Sequence, residues 1–356
     1  MGINLQPPAA SEIEISLFGP GTGECIVAHL GNNEWMIVDS CSAYGTRQPI
    51  ALSYLKELGI SFDDVKCVVI THFHDDHIRG MASVIDSCVN AEIYISGALT
   101  TNESIAFLLA HAEEDILADR LKPSTFEIAK ILKACGERHV RLVVENTALY
   151  RRNGVEVNAL SPSSVAVAES RLSFEKGFVE AGVGFRKLAN KLHPNLCAIA
   201  LHVCNGTDTI LLGSDLEVSS DPGLGWEAVL RNMNKPSTMA ALFKVPHHGS
   251  KTGHSNGVIS KMLKSMPVSI LTTFDSSSLP REEDIERICK YSSRLYHTTL
   301  PKSSARLPKR GRAVEECLAA VTKSRRALEG RIGHIQVRMV DGQCVVQHNE
   351  HAGVAA

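Results

Sequence analysis

At 356 residues, 44% hydrophobic and 21% charged, the chain has the balance of an ordinary soluble globular protein and is long enough to bury a sizeable core. A formal net charge of −2 gives no global attraction to nucleic acid or to an acidic membrane, so any such partner has to be met by a local patch. Aromatic residues make up only 5%, which argues against a large platform for stacking bases.

The lead Met1–Ser11 carries no basic region followed by an apolar stretch, so no signal peptide is expected. No apolar run approaches the ~20 residues of a membrane span, and the expected location is the cytoplasm. Three strands are predicted over Glu12–Phe18, Glu24–Leu30 and Trp35–Asp39, separated by Gly-rich turns. A helix follows over Ile50–Leu58, and then Val65–Ile70, apolar enough for a strand buried on both faces. Ile78–Asn90 reads as a helix and Glu92–Ser96 as a strand.

Residues 97–145 break the rhythm with two helical patterns separated by Pro123, and are read as a helical insertion. Strand signals return at Val140–Val144 and Val155–Leu160, before a polar excursion over Ser161–Lys191. Cys197–Cys204 and Thr209–Gly213 flank Asn205-Gly206, a strong hairpin turn. Ala241–Val245 and Ser269–Thr273 are predicted strands, and Ile259–Met266 and Glu282–Tyr291 helices. Residues 302–331 form a basic helical segment ahead of a closing hairpin, His334–Val340 and Gln343–His348, after which the tail is expected to fray. No linker divides the chain, so 1–356 is read as one domain. Strands alternating with helices, with hairpins at both ends, imply helices layered on a mixed sheet. The ten cysteines are scattered, without a CxxC pair, and read as small core residues of a reducing compartment.

The chemistry concentrates in Thr71-His72-Phe73-His74-Asp75-Asp76-His77, just past a buried strand. Imidazole and carboxylate together suit zinc, manganese or iron. In an extended segment His72 and His74 project one way and Phe73 the other, back into the core. After the turn, Asp76 and His77 face a second position nearby. Asp75 is placed to cap free helix amides. Leu211–Glu217 puts Asp215 just beyond an apolar strand, where active sites of α/β proteins collect. Lys244–Ser250 puts His247 and His248 at another strand end. Adjacent histidines on an extended chain do not easily share one ion, so one is expected to ligate and the other to face substrate.

These motifs resemble the metallo-β-lactamase superfamily. More narrowly, they resemble the hydrolase domain of the ComEC competence proteins and their stand-alone soluble relatives. Gly21-Thr22-Gly23-Glu24 is similar to that group's Gly-x-Gly-Asp turn, and Trp35–Asp39 to its apolar run ending in a structural aspartate. Asn195 and the strand run into Asp215 agree as well. The resemblance covers roughly residues 12–96 and 192–348. It implies an αββα sandwich, with His72 and His74 on one divalent ion and Asp76 and His77 on the other. Asp215 would bridge the two ions, and His247 would complete the second site. It also implies a metal-acidified water as nucleophile, oriented by Asp76, with zinc, manganese or iron(II) as the ion. His248 is then the candidate proton donor or oxyanion contact. Arg79 stands where these relatives carry glycine, and could meet a phosphate or pair with a nearby acid. His193 lies in the loop from which many members supply a further ligand; either it or Asn195 is a candidate to complete the first site.

Hydrolysis of a phosphodiester, in DNA or another nucleic acid or nucleotide, is the expected reaction. The resemblance points that way, and residues 302–331 carry nine Lys or Arg against three Glu, a net of +6. The alternatives are a hydrolase of a small ester, thioester or lactone, and a metal-binding partner of another protein, for instance in a phage-defence system.

Overall fold

The structure is a computed structural model. It describes residues 2–46, 48–99, 123–136, 138–181, 192–274, 277–299, 311–321, 332–340 and 342–355. Among these, sixteen strands form two eight-stranded sheets packed face to face. The first runs in the order β15-β14-β1-β2-β3-β4-β5-β6 and the second in the order β16-β13-β12-β11-β10-β9-β8-β7.

In the first sheet β1 (Ile13–Pro20), β2 (Cys25–His29) and β3 (Trp35–Val38) form an antiparallel meander, and β4 (Val65–Ile70), β5 (Glu92–Ser96) and β6 (Val140–Val143) continue it in parallel. The second sheet repeats the plan. Here β7 (Ala148–Arg152), β8 (Val155–Ala159), β9 (Leu201–Cys204) and β10 (Thr209–Leu212) are antiparallel. Then β11 (Ala240–Lys244), β12 (Leu263–Leu271) and β13 (Arg294–His297) run parallel. The closing hairpin of β14 (Ile332–Val340) and β15 (Gln343–His348) returns to pair with β1. The tail is not frayed, as its sequence suggested. Its β16 (Gly353–Ala355) pairs with β13 and finishes the second sheet.

Alternation along the strands sorts the core into layers. Ile13, Ile15 and Leu17 of β1 point between the sheets and meet Val157, Leu201 and Ile210 from the other side. Phe18 and the outward residues of the first sheet are covered by α1 (Ile50–Glu57), α3 (Met81–Ser87) and α4 (Pro123–Cys135). The outer face of the second sheet is covered by α6 (Gly225–Arg231), α7 (Asn256–Met262) and α8 (Glu282–Cys289). The result is an αββα sandwich, the architecture that the resemblance implies. At ~1.5–3 kcal/mol for each large apolar side chain fully buried, these three layers supply most of the drive to fold.

Several elements depart from expectation. The helix expected over Ile78–Asn90 is broken: α2 (Asp75–Ile78) stops at Arg79, and Gly80 takes φ 81° before α3 begins. Ser161–Lys191, read only as a polar excursion, contains α5 (Ser164–Ala181). The helix expected to reach Met266 ends at Met262 and gives way to β12. Of the insertion, α4 packs on α3, and residues 100–122 lie outside the described residues. Of the basic segment only α9 (Arg312–Val321) and the glycine before it are described. None of the ten cysteines is in a disulfide, and six are buried. No helix among the described residues is long and apolar enough to cross a membrane.

Candidate metal centre

All the motif residues arrive at one edge of the sandwich, beyond the carboxyl ends of β3, β4, β10 and β11. Parallel pairing of β3 with β4 brings Asp39 beside Thr71, and parallel pairing of β10 with β11 brings Asp215 beside Val245–His248. Two close backbone approaches fix the arrangement. Gly23 lies against Asp76, where a Cβ would overlap the Asp76 carbonyl. Glu24 N then donates to that carbonyl at 2.8 Å. Asp39, Ser214, His247 and His248 all hold left-handed φ, between 45° and 59°, a costly conformation for non-glycine residues and one concentrated at functional sites.

Each inner histidine is oriented through its Nδ1. His77 Nδ1 lies 2.7 Å from Asp39 Oδ2, and the buried Asp39 also accepts from Thr71 N (2.8 Å) and Thr71 Oγ1 (2.7 Å). Thr71 Oγ1 thereby spends its only proton on Asp39, so at 3.0 Å it accepts from His72 Nδ1. His248 Nδ1 donates to Thr272 O at 3.1 Å. In all three residues Nδ1 is engaged and Nε2 is the nitrogen left over for an ion, the arrangement by which carboxylates and carbonyls prepare histidine ligands.

Two of those Nε2 atoms, of His77 and His248, converge on one pair of carboxylates. His72 Nε2 faces His74 Nδ1 at 3.1 Å. His77 Nε2 is buried without a hydrogen-bond partner, 3.4 Å from Asp215 Oδ2 and 3.7 Å from Asp76 Oδ2. His248 Nε2 lies 3.3 Å from Asp76 Oδ2 and 3.6 Å from Asp215 Oδ2. Donor atoms of Asp76, His77, Asp215 and His248 all lie within 4.8 Å of one another. A tetrahedral N/O site with ~2.0–2.1 Å bonds has edges of ~3.3 Å, so the donor set, its spacing and its orphaned Nε2 fit a divalent ion. The His72–His77 ring centroids are 4.3 Å apart, which places the His72/His74 pair against this group.

The electrostatics point the same way. Burial alone pushes Asp76 and Asp215 up, yet the neighbouring histidines hold both carboxyls well below the usual range. Burial likewise pushes His77 and His248 down, and the carboxylates overcome it and raise both. A cluster that gathers protons against its own burial is a cluster that attracts cations. His72, buried and beside two other imidazoles, is lowered instead.

His247 stands apart. Its Nδ1 is 2.8 Å from Glu217 Oε1, and its Nε2 is 3.3 Å from Asn195 Nδ2, an amide that can only donate. Both nitrogens are therefore occupied, and His248 takes the place beside Asp76, His77 and Asp215. The resemblance had put His247 with the metal and His248 towards substrate; the geometry instead sets His248 with the carboxylates and ties His247 to Glu217 and Asn195. Glu217, which sequence reading did not single out, also accepts from Thr252 Oγ1 (2.8 Å) and Asn195 Nδ2 (3.2 Å), and lies 3.5 Å from His193 Nδ1. His193 is thus tied to Glu217, with its ring centroid 6.4 Å from that of His74. Asp75 makes no side-chain cap and instead meets Arg79, at 3.4 Å on the exposed surface.

Residues 18–104 match the family model described as the metallo-beta-lactamase superfamily. No curated protein matches the chain. Among solved structures, the metallo-beta-lactamase fold protein YhfI from Bacillus subtilis is similar at 12% identity and a TM-score of 0.38, over 73% of this chain and 85% of that one. The Rm3 metallo-beta-lactamase is similar at 14% identity and a TM-score of 0.37, over 67% of this chain and 77% of that one. AidC, a dizinc quorum-quenching lactonase, is similar at 16% identity and a TM-score of 0.33, over 54% and 55%. None of these likenesses bears on substrate.

Proposed function

From the superfamily match and the donor cluster, we propose that this chain is a metal-dependent hydrolase whose substrate is a phosphodiester of nucleic acid or a nucleotide. One observation carries the first half: His77 and His248, each with its Nδ1 engaged, turn Nε2 to the Asp76 and Asp215 carboxylates, and donor atoms of all four lie within 4.8 Å of one another. Asp76, His77, Asp215 and His248 would hold one divalent ion, zinc, manganese or iron(II), and His72 and His74 a neighbouring one within reach of Asp215. Such ions act as Lewis acids, acidifying water and polarising an electrophilic centre.

The protein's own groups prepare the rest. Asp76, at 15% exposed the most open carboxylate of the group, offers an acceptor that orients an attacking water, and His248 steadies it from the buried side. Asp39 fixes His77 and, through Thr71, His72, so one buried carboxylate sets two ligands. His193, more than half exposed and tied to Glu217 through Nδ1 alone, is available to contact substrate, and His247 holds Glu217 from its other side. The phosphodiester half is supported by the resemblance of the Gly21–Glu24 turn and the Pro246–Ser250 loop to the ComEC group. It is supported also by the +6 charge of residues 302–331.

The test is hydrolysis of single- and double-stranded DNA, RNA, cyclic dinucleotides and bis(p-nitrophenyl) phosphate, with zinc and manganese separately. Cleavage that falls at least ~100-fold in Asp76→Ala/His77→Ala is the expected outcome, in line with the loss of metal-supplied transition-state stabilisation. A metal-loaded protein that cleaves no phosphodiester but opens a lactone or thioester overturns the substrate class and leaves the hydrolase. Turnover of none of these substrates would favour a binding role with a protein partner.

A further inference from the structure

Lys244 ends β11 with no exposed surface, immediately beneath the centre. Its Nζ lies 2.6 Å from Glu24 Oε1, 3.0 Å from Ser214 O and 4.0 Å from Asp215 Oδ1. Glu24 is equally buried and comes from the turn that packs on Asp76. Its other oxygen, Oε2, has no hydrogen-bond partner and is 3.9 Å from His248 Nδ1. Asp215 Oδ1 is also buried without a hydrogen-bond partner. Glu24, Asp39 and His77 offer donor atoms within 4.8 Å of one another. The pair thus lies within 4.0 Å of both the Asp215 carboxylate and the His248 imidazole, outside the set formed by Asp76, His77, Asp215 and His248.

A buried ammonium 4.0 Å from a ligand carboxylate competes with any ion for that carboxylate's charge. Glu24, much closer to the ammonium, draws most of its field away and also adds a negative charge under the centre. An ion pair needed only to join the N-terminal turn to β11 would act on stability alone. Placed here, it also sets how strongly Asp215 engages a cation.

We propose that Lys244 is a resident counter-cation of the metal centre, a positioning residue that tempers the hold of Asp215 on a divalent ion, with Glu24 setting how much of its charge Asp215 feels. This rests on the reading of the cluster as a metal centre.

The sign of two substitutions tests it. Affinity for Mn2+ and for Zn2+ is measured by calorimetric titration, and thermal melting beside it, for wild type, Glu24→Gln, Lys244→Met and Glu24→Gln/Lys244→Met. Both single variants lose melting temperature, because each leaves a buried charge short of its partner. Their affinities move in opposite directions. Glu24→Gln binds at least ~10-fold more weakly, since one carboxylate is gone and the ammonium turns on Asp215, whereas Lys244→Met binds more tightly. The double variant buries no unpaired charge from this pair, and it binds more tightly than Glu24→Gln alone. That last comparison decides the matter even where Lys244→Met does not fold. Equal losses in both single variants, unchanged affinities, or a double variant no tighter than Glu24→Gln overturn the inference and leave a salt bridge of the fold. Wild type that takes up neither ion overturns the metal reading itself, and the inference with it.

Discussion

What an imidazole can do at one nitrogen is decided by what it touches at the other. His248 Nδ1 is spent on Thr272 O, and its Nε2 faces the Asp76 and Asp215 carboxylates, where an ion would sit. His247 has both nitrogens occupied, by Glu217 and Asn195. Replacing the two residues separately should therefore give different results. His248→Ala is expected to lose one equivalent of bound zinc or manganese, with a fall of at least ~10-fold in affinity, as removal of a direct ligand or of its immediate support produces. His247→Ala is expected to keep the metal content of wild type and to alter KM for substrate. Metal analysis of both purified variants decides the point, and equal loss of metal in both would return His247 to the ligand set. The sequence could not have made this distinction. It shows that the two histidines sit at a strand end and that both cannot readily ligate, but the choice between them depends on the left-handed φ of each residue. By contrast, the His72–His77 cluster is legible because its five ionisable members fall within six consecutive positions just past a buried strand.

At the scale of elements, β1 and β14 carry a buried polar layer on the helix-covered face of the first sheet. Glu14 is fully buried and accepts from Arg338 Nε (2.9 Å), Tyr54 OH (2.6 Å) and Gln336 Nε2 (3.1 Å). Gln336 also grips the N-terminal segment through both backbone groups of Asn4. His334 sits at the end of this layer, stacked on Phe18 with ring centroids 4.1 Å apart and with Nε2 3.0 Å from Ser16 Oγ. Burial pushes His334 down to about 3 from the ordinary histidine value of 6.5. Between those values the unfolded chain holds a proton at this position that the folded chain does not. Stability is therefore complete above pH 6.5 and falls as pH is lowered towards 3, by ~1.4 kcal/mol per pH unit. His334→Gln, measured by denaturant unfolding beside wild type, should lack this component, so that wild type loses ~2 kcal/mol relative to the variant between pH 6.5 and pH 5. Parallel pH profiles for the two proteins would show that His334 is not held neutral in the fold. Alternating strands and Asn-Gly or Asp-Gly turns made most of the sheet readable, including the hairpins around residues 205 and 341. Short or pairing-dependent elements were not readable. β16 exists because β13 offers it an edge, and α2 stops at Arg79 because the chain must turn through Gly80 to reach α3.

The molecule as a whole places the centre where neither sheet owns it. Asp76 and His77 follow β4 of the first sheet, while Asp215 and His248 follow β10 and β11 of the second. Around the site direct bonds join the sheets, among them Ile199 N to Thr71 O at 3.1 Å and Ser96 Oγ to Cys197 O at 2.6 Å. An ion held by both pairs is then a cross-link between sheets, and long-range pairings of this kind, such as Glu24 with Lys244, are what a local reading of sequence cannot reach. Bound only by the folded state, the ion should stabilise by ~2.7 kcal/mol when free metal stands at 100 times its dissociation constant. Melting temperature should rise on adding zinc or manganese and return on adding EDTA. Because the ion spans the interface, His77→Ala from one sheet and Asp215→Ala from the other should each abolish the rise, although they sit on different halves of the fold. If the rise survived in either variant, the ion would be held by one sheet alone, and the clamp across the sandwich would have to be abandoned.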